Sequence, residues 1–233
     1  MKNKIFVLIC FVLGIGCASC DTDNYEAPQS KLEGRIVYNG EPIHLGYNEV
    51  NMQLWEPGWQ LRAPIDVAVD QDGSYSAVLF NATYKLNIRS AQGPFRSIQN
   101  STTQSDTIMV DLKGNQVLDI EVMPYYMIRN TQIASSARDI TANFKLERII
   151  TDANAKNVER VSLYINKTTF VDRGNNIASK DLSGANIIDL NSINLSATVP
   201  AITPAQNYVF ARVGVKIAGV EDMLYSAIQK IQL

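Results

Sequence analysis

The residues with most to offer a ligand are three neighbouring aromatics, Tyr47, Trp55 and Trp59, with both tryptophans of the chain falling close together around Pro57-Gly58. Exposed aromatic faces stack on sugar rings, and nearby Gln53, Glu56, Gln60 and Arg62 carry donors and acceptors suited to hydroxyls. The pattern fits a carbohydrate-binding surface. It also fits a plainer arrangement, in which Trp55 closes a strand into the core and Trp59 packs on a domain seam. Phe95, within Gly93-Pro94-Phe95-Arg96, interrupts the pattern between two strands and is expected in an exposed loop, as a second ligand-contact candidate.

Other chemistries are poorly supplied. His44, the single histidine, has no second histidine or cysteine near it, so neither a metal site nor a cofactor is expected. Asp70-x-Asp72-Gly73 opens like a calcium loop but lacks the downstream ligands, and reads better as a hairpin turn. Asp139, Glu147, Asp152 and Glu159 are scattered acids, whereas a glycosidase needs two carboxyl groups held across a cleft. No Gly-x-Ser-x-Gly elbow, phosphate loop or dinucleotide fingerprint occurs. Asn-x-Ser/Thr tripeptides at Asn81, Asn100, Asn166 and Asn194 read as chance occurrences. A non-catalytic protein is expected. With 233 residues, 46% of them hydrophobic and 19% charged, and a net charge of −2, the chain has core-forming material and no basic surplus for nucleic acid.

All three cysteines lie in the first twenty residues. Met1-Lys2-Asn3-Lys4 precedes an apolar run, Ile5 to Leu13, then small residues, which is the layout of a secretory signal and too short for a membrane span. Cys17-Ala18-Ser19-Cys20 resembles a lipobox, departing from the usual pattern at Cys17. Cys20 is the expected lipid anchor, with Cys17 the weaker candidate and ordinary cleavage near Ser19 the alternative. The acidic stretch after it reads as a flexible tether and resembles the signal that sends lipoproteins to the outer leaflet. The expected location is the outer membrane, lipid-anchored and facing outward, with no disulfide in the mature chain.

From Lys31 onward the chain reads as an all-β protein, with short alternating runs between turn residues and no sustained helical stripe. In the first half, strands are expected over 31–38, 50–55, 65–69, 74–79, 84–89, 107–112 and 116–123, with Asn39-Gly40, Asp72-Gly73 and Gly114-Asn115 supplying turns. Pro124 cannot donate to a ladder and places a boundary near 124–126. In the second half, strands are expected over 126–133, 139–146, 158–166, 187–190, 196–199, 208–217 and 224–229, with 170–184 a mobile loop or irregular edge. The division is a signal peptide (1–19), a tether (20–30) and two β-sandwich domains in tandem (31–124 and 125–233).

Gly34-Arg35-Ile36-Val37, the segment Val67 to Tyr75, and Asn81 to Ile88 together resemble transthyretin-like and carboxypeptidase-regulatory-like modules. Asn207 to Val213 resembles the penultimate strand of an immunoglobulin- or fibronectin-III-like module. More specifically, Gly46 to Leu61, the Asp-Gly-Ser-Tyr hairpin, Asp106 to Val110 and Met123-Pro124-Tyr125 resemble an uncharacterised family of outer-membrane lipoproteins with that domain order. Members are typically encoded beside SusC/SusD-like glycan-uptake pairs. The resemblance implies an accessory of glycan or nutrient capture and carries over no catalytic residues. The competing reading is a structural or assembly subunit that docks such an uptake complex.

Overall fold

The computed structural model describes residues 26–58, 63–89 and 92–233. The amino-terminal half contains β1 (Ser30–Tyr38), β2 (Glu41–Pro42), β3 (Met52–Trp55), β4 (Ile65–Val67), β5 (Ser74–Leu79), β6 (Ala82–Ile88), β7 (Phe95–Ser97), β8 (Ile108–Leu112), β9 (Gln116–Val117) and β10 (Ile120–Pro124). They form two sheets. In the first, β1 runs antiparallel to β5 over Ser30–Arg35, then parallel to β10 at Ile36 and Val37. β2 and β9 also pair with β1, and β7 pairs with β10. The second has the order β4-β3-β6-β8. Alternation sets which side chains lie between the sheets. Met52 and Leu54 of β3, Tyr84, Leu86 and Ile88 of β6, and Val110 and Leu112 of β8 are buried. Each such side chain contributes about 1.5–3 kcal/mol on leaving water.

The carboxy-terminal half contains β11 (Tyr126–Ser136), β12 (Asp139–Arg148), β13 (Val158–Asn166), β14 (Ala178–Ser183), β15 (Ile193–Thr198), β16 (Tyr208–Ile217), β17 (Leu224–Tyr225) and β18 (Gln229–Gln232). One sheet has the order β11-β12-β15; the other is β14-β13-β16-β17, with β18 also on β16. Ile140, Ala142, Phe144 and Leu146 are buried on β12, as are Val161, Leu163 and Ile165 on β13. The intervening Ser162 and Tyr164 are buried as well, together with Arg212 of β16. Both faces of β13 and β16 are therefore covered, one by the sandwich core and the other by loops and the amino-terminal domain.

Several strands differ from expectation for local physical reasons. The run 116–123 breaks into β9 and β10 because Leu118 N–H bonds Glu33 O (2.8 Å) and Asp119 Oδ1 caps the Arg35 N–H (2.9 Å), which shifts the pairing along β1. Ile187 to Leu190 forms no strand. A 3-10 turn at Gly184–Asn186 precedes it, Asp189 Oδ1 accepts the Asn191 N–H (2.8 Å), and Ile188 is fully exposed. Segment 170–184, read as loop or edge, contains β14. This edge strand has no buried face, hence no alternation. Leu224 to Gln229 divides between β17 and β18. Asp70-x-Asp72-Gly73 forms the hairpin turn, with Gly73 at φ +79° and Ser74 N–H (3.0 Å) and Oγ (2.6 Å) donating to Asp72 Oδ1.

The seam between the halves, which composition leaves free to pack or hinge, is packed. Tyr125, Tyr126 and Met127 are buried in a hydrophobic cluster that runs through both sandwiches. Main-chain bonds cross it from Tyr225 N to His44 O (3.0 Å) and from Asp222 N to Gln92 O (2.9 Å). Arg129, between Glu41 (2.5 Å) and Glu147 (2.7 Å), ties the rim.

Candidate functional site

A groove of about 670 Å³ lies on the outer face of the first sheet, where Glu33 and Arg35 of β1 face Ser74 and Ser76 of β5. Its floor requires a glycine. A Cβ on Gly34 would stand 1.9 Å from Leu118 O, and Tyr75 Oη donates to the same carbonyl at 2.6 Å. Burial raises the Tyr75 phenol well above its ordinary range, so it remains a donor. Asp70, Val117 and Asp119 close the sides. Burial works to raise the carboxyl of Asp72, the ion-pair partner of Arg35, but Ser74, Arg35 and His44 together hold it under its usual value.

Tyr47 stands at the edge of this groove, 51% exposed. The chain turns tightly there: Glu49 N–H bonds Gly46 O (3.2 Å) and Asn48, at φ +54°, bonds Val69 O (2.8 Å), which projects the intervening tyrosine outward. Its aromatic partner comes from the other domain. Phe170, 47% exposed, meets the Tyr47 ring edge-to-face with centroids 5.7 Å apart and planes at 85°. Edge-to-face packing leaves ring area on both residues free for a ligand.

Two buried side chains hold the segments that carry this pair. Arg212, 0% exposed, donates from Nη1 to Leu45 O (2.8 Å) and from Nε to Val171 O, and its guanidinium lies 3.8 Å from the Tyr225 ring centroid. Gln71, 8% exposed, donates to Thr169 O (3.1 Å) and accepts from Val171 N–H (3.3 Å). Leu45 and Val171 are within two residues of Tyr47 and Phe170, so these bonds fix where the rings sit. Burial lowers the Arg212 pKa to about 10, opposed by Tyr225, Asp172 and Glu49. The surrounding acids respond in kind. Burial raises Glu49 despite its ion pair with Arg173 (3.3 Å), and burial, with Glu49 and Glu221 beside it, raises Asp222 to about 7. Burial, then Arg212, lowers His44. Arg212 Nη2, Glu49 Oε2 and Asp222 Oδ2 are buried without a hydrogen-bond partner among the described residues.

The residues singled out by sequence are not all gathered here. Trp55 is half-buried on the outer face of the second sheet, opposite Lys85 of β6, so the sandwich separates it from the Tyr47 groove. Trp59 and Cys20 lie outside the described residues. Phe95 corrects the exposed-loop expectation. It is 4% exposed, begins β7 and pairs with Pro124, so its ring contributes to the core and offers no face to a ligand. Phe170, Gln71 and Arg212 carried no usable sequence signal, since each acts through contacts spanning at least 98 positions or through the opposite face of a core strand. Among the described residues no group of three His, Cys, Asp or Glu side chains could hold a metal ion, and no helix is long and apolar enough to cross a membrane.

Residues 30–123 match the family model for the protein of unknown function DUF3823 N-terminal domain, and residues 126–230 match the domain of unknown function DUF3823_C. A DUF3823 family crystal structure from Parabacteroides merdae is 34% identical, with a TM-score of 0.76, covering 89% of this chain and 100% of that one. One from Bacteroides ovatus is 30% identical, with a TM-score of 0.75, covering 88% and 100%. A Bacteroides uniformis structure that shares the fold at 18% identity (TM-score 0.69, covering 89% and 100%) is described as "a putative carbohydrate binding protein". No curated protein matches. Both domain models, with the structures at 34% and 30% identity, place the chain in the DUF3823 family.

Proposed function

We propose that this protein binds carbohydrate, without catalysis, in the groove edged by Tyr47, whose ring packs edge-to-face on Phe170. The observation that carries the reading is the exposed aromatic pair beside a polar groove, held in place from beneath by Arg212 and Gln71. Stacking supplies affinity, and Ser74, Ser76 and the groove carboxylates supply hydroxyl partners. The carboxylates already have other roles. Asp119 caps a β1 amide, Asp70 accepts the Gln71 N–H (2.6 Å), and Glu33 pairs with Lys31 (2.5 Å), which is unlike an acid and base poised across a scissile bond. The description of the Bacteroides uniformis relative supports the ligand class. The amino-terminal signal adds a setting: Cys20 carries lipid, the tether holds the domains outside the outer membrane, and the groove presents glycan to a SusC/SusD-like uptake pair.

Affinity electrophoresis of the full chain in gels containing soluble polysaccharides tests the ligand. Tyr47→Ala and Phe170→Ala are expected to abolish retardation while keeping thermal stability near that of the parent. Retardation that survives both substitutions would place the ligand elsewhere. Palmitate labelling that disappears in Cys20→Ala tests the anchor separately.

A further inference from the structure

We propose that the groove selects by charge, accepting neutral or amine-bearing sugar chains and excluding uronates. This deepens the carbohydrate reading and rests on it. Three carboxylates, Glu33, Asp70 and Asp119, line the groove against a single guanidinium, Arg35. Their ion-pair partners outside the lining leave that surplus unchanged, because Lys31 joins Glu33 at 2.5 Å while Asp72 joins Arg35 at 3.5 Å. The balance remains negative by two charges.

Arg35 is the residue that would otherwise welcome a uronate, since a guanidinium matches a carboxylate in a two-pronged bond. Here it faces Asp72 at 3.5 Å, whose carboxyl also accepts from the Ser74 hydroxyl and amide. Tyr75 cannot contribute a cation, and its hydroxyl is directed at Leu118 O. A sugar hydroxyl or ammonium meets the groove's carboxylate acceptors, whereas a sugar carboxylate meets a net surplus of like charge. With two surplus charges about 6 Å away through solvent, a uronate is expected to bind about tenfold more weakly than a neutral unit. The gap closes as salt shortens the screening length toward about 3 Å near 1 M. Selection of this kind comes from repulsion and leaves the stacking contacts unchanged.

Biolayer interferometry of the full chain tests this, with immobilised neutral β-glucan, galactomannan, glycol chitosan, polygalacturonate and alginate, at about 20 mM and about 500 mM salt. Tyr47→Ala is run in parallel to identify binding in the groove. The expected result is Tyr47-dependent binding to at least one neutral or amine-bearing chain. Both uronates should bind at least about tenfold more weakly at low salt, with the difference shrinking at high salt. Glu33→Lys, at a half-buried position of β1, should raise uronate binding relative to neutral binding, and Glu33→Gln should do so by less. Tyr47-dependent uronate binding equal to neutral binding at low salt, or a ratio unmoved by Glu33→Lys, overturns the charge selection and leaves carbohydrate binding standing. Absence of Tyr47-dependent binding to every polymer overturns both.

Discussion

Replacing Arg212 with methionine, which fills similar volume without charge or donors, perturbs the site from beneath. The substitution removes the donors from Leu45 O and Val171 O, both inside the seam, at about 1–3 kcal/mol for each orphaned carbonyl. It also removes the guanidinium from the Tyr225 ring, a desolvated contact worth about 1–2 kcal/mol. Against these losses stands relief of a buried charge. Burial lowers the guanidinium pKa to about 10, a penalty of about 3 kcal/mol with the opposing attraction of Asp172 and Glu49 already included. The balance centres on a net destabilisation of about 3 kcal/mol, at the lower end of the range found when one member of a buried charged group is removed. Because both pKa values of Arg212 lie well above neutrality, its contribution stays constant below about pH 9.

Urea denaturation at pH 7 measures the stability change. A fluorophenylalanine placed at position 170 reports the Tyr47–Phe170 contact through its 19F shift. Arg212→Met should lower stability and move or broaden the Phe170 resonance toward its position in Tyr47→Ala. Arg212→Lys should recover only part of either effect, since an ammonium reaches one carbonyl and lacks the planar fork. Stability of Arg212→Met within about 0.5 kcal/mol of the parent would refute the energetic argument. An unchanged Phe170 resonance would refute the claim that Arg212 positions the ring.

Asp222→Asn should flatten the pH dependence of stability. The carboxyl pKa is raised from 3.8 to about 7 in the fold, so the stability it supports is complete below about pH 4 and lost as pH rises through 7. The full loss would be about 4 kcal/mol, and screening beside the exposed Glu221 brings it nearer 2, measurable by urea titration at pH 4 and pH 8. Gly34→Ala should cost about 1–3 kcal/mol, because its Cβ would meet Leu118 O at 1.9 Å and force β1 and the 118 carbonyl apart; calorimetry checks this. Phe95→Ala should cost about 3–5 kcal/mol as a core truncation, whereas an exposed loop residue would cost almost nothing.

The sequence by itself determined the strand-rich character, most strand positions and the division near Pro124. These depend on period-two alternation, turn residues and a missing amide donor, all of which are local. It also directed attention to Tyr47, because an aromatic beside a turn stands out without any knowledge of its neighbours. Reading Tyr47 with Trp55 and Trp59 failed for Trp55 for a geometric reason. Proximity in sequence carries the chain from the groove turn along β3 to the outer face of the opposite sheet. Phe95 was misread because Gly93-Pro94 resembles a surface loop, while pairing of β7 with β10 turns the ring inward. Strand β14 was obscured because an edge strand with no buried face leaves no alternation.

Tertiary structure alone decided the composition of the site. Phe170 reaches Tyr47 only because the two sandwiches share a packed seam, and Arg212 can be fully buried only because carbonyls from both domains and the Tyr225 ring surround it. Short-range patterning can place each residue on a strand or a turn. The contacts that make these residues a site span 123 positions between Tyr47 and Phe170 and 167 between Leu45 and Arg212, and no local pattern encodes such a pairing.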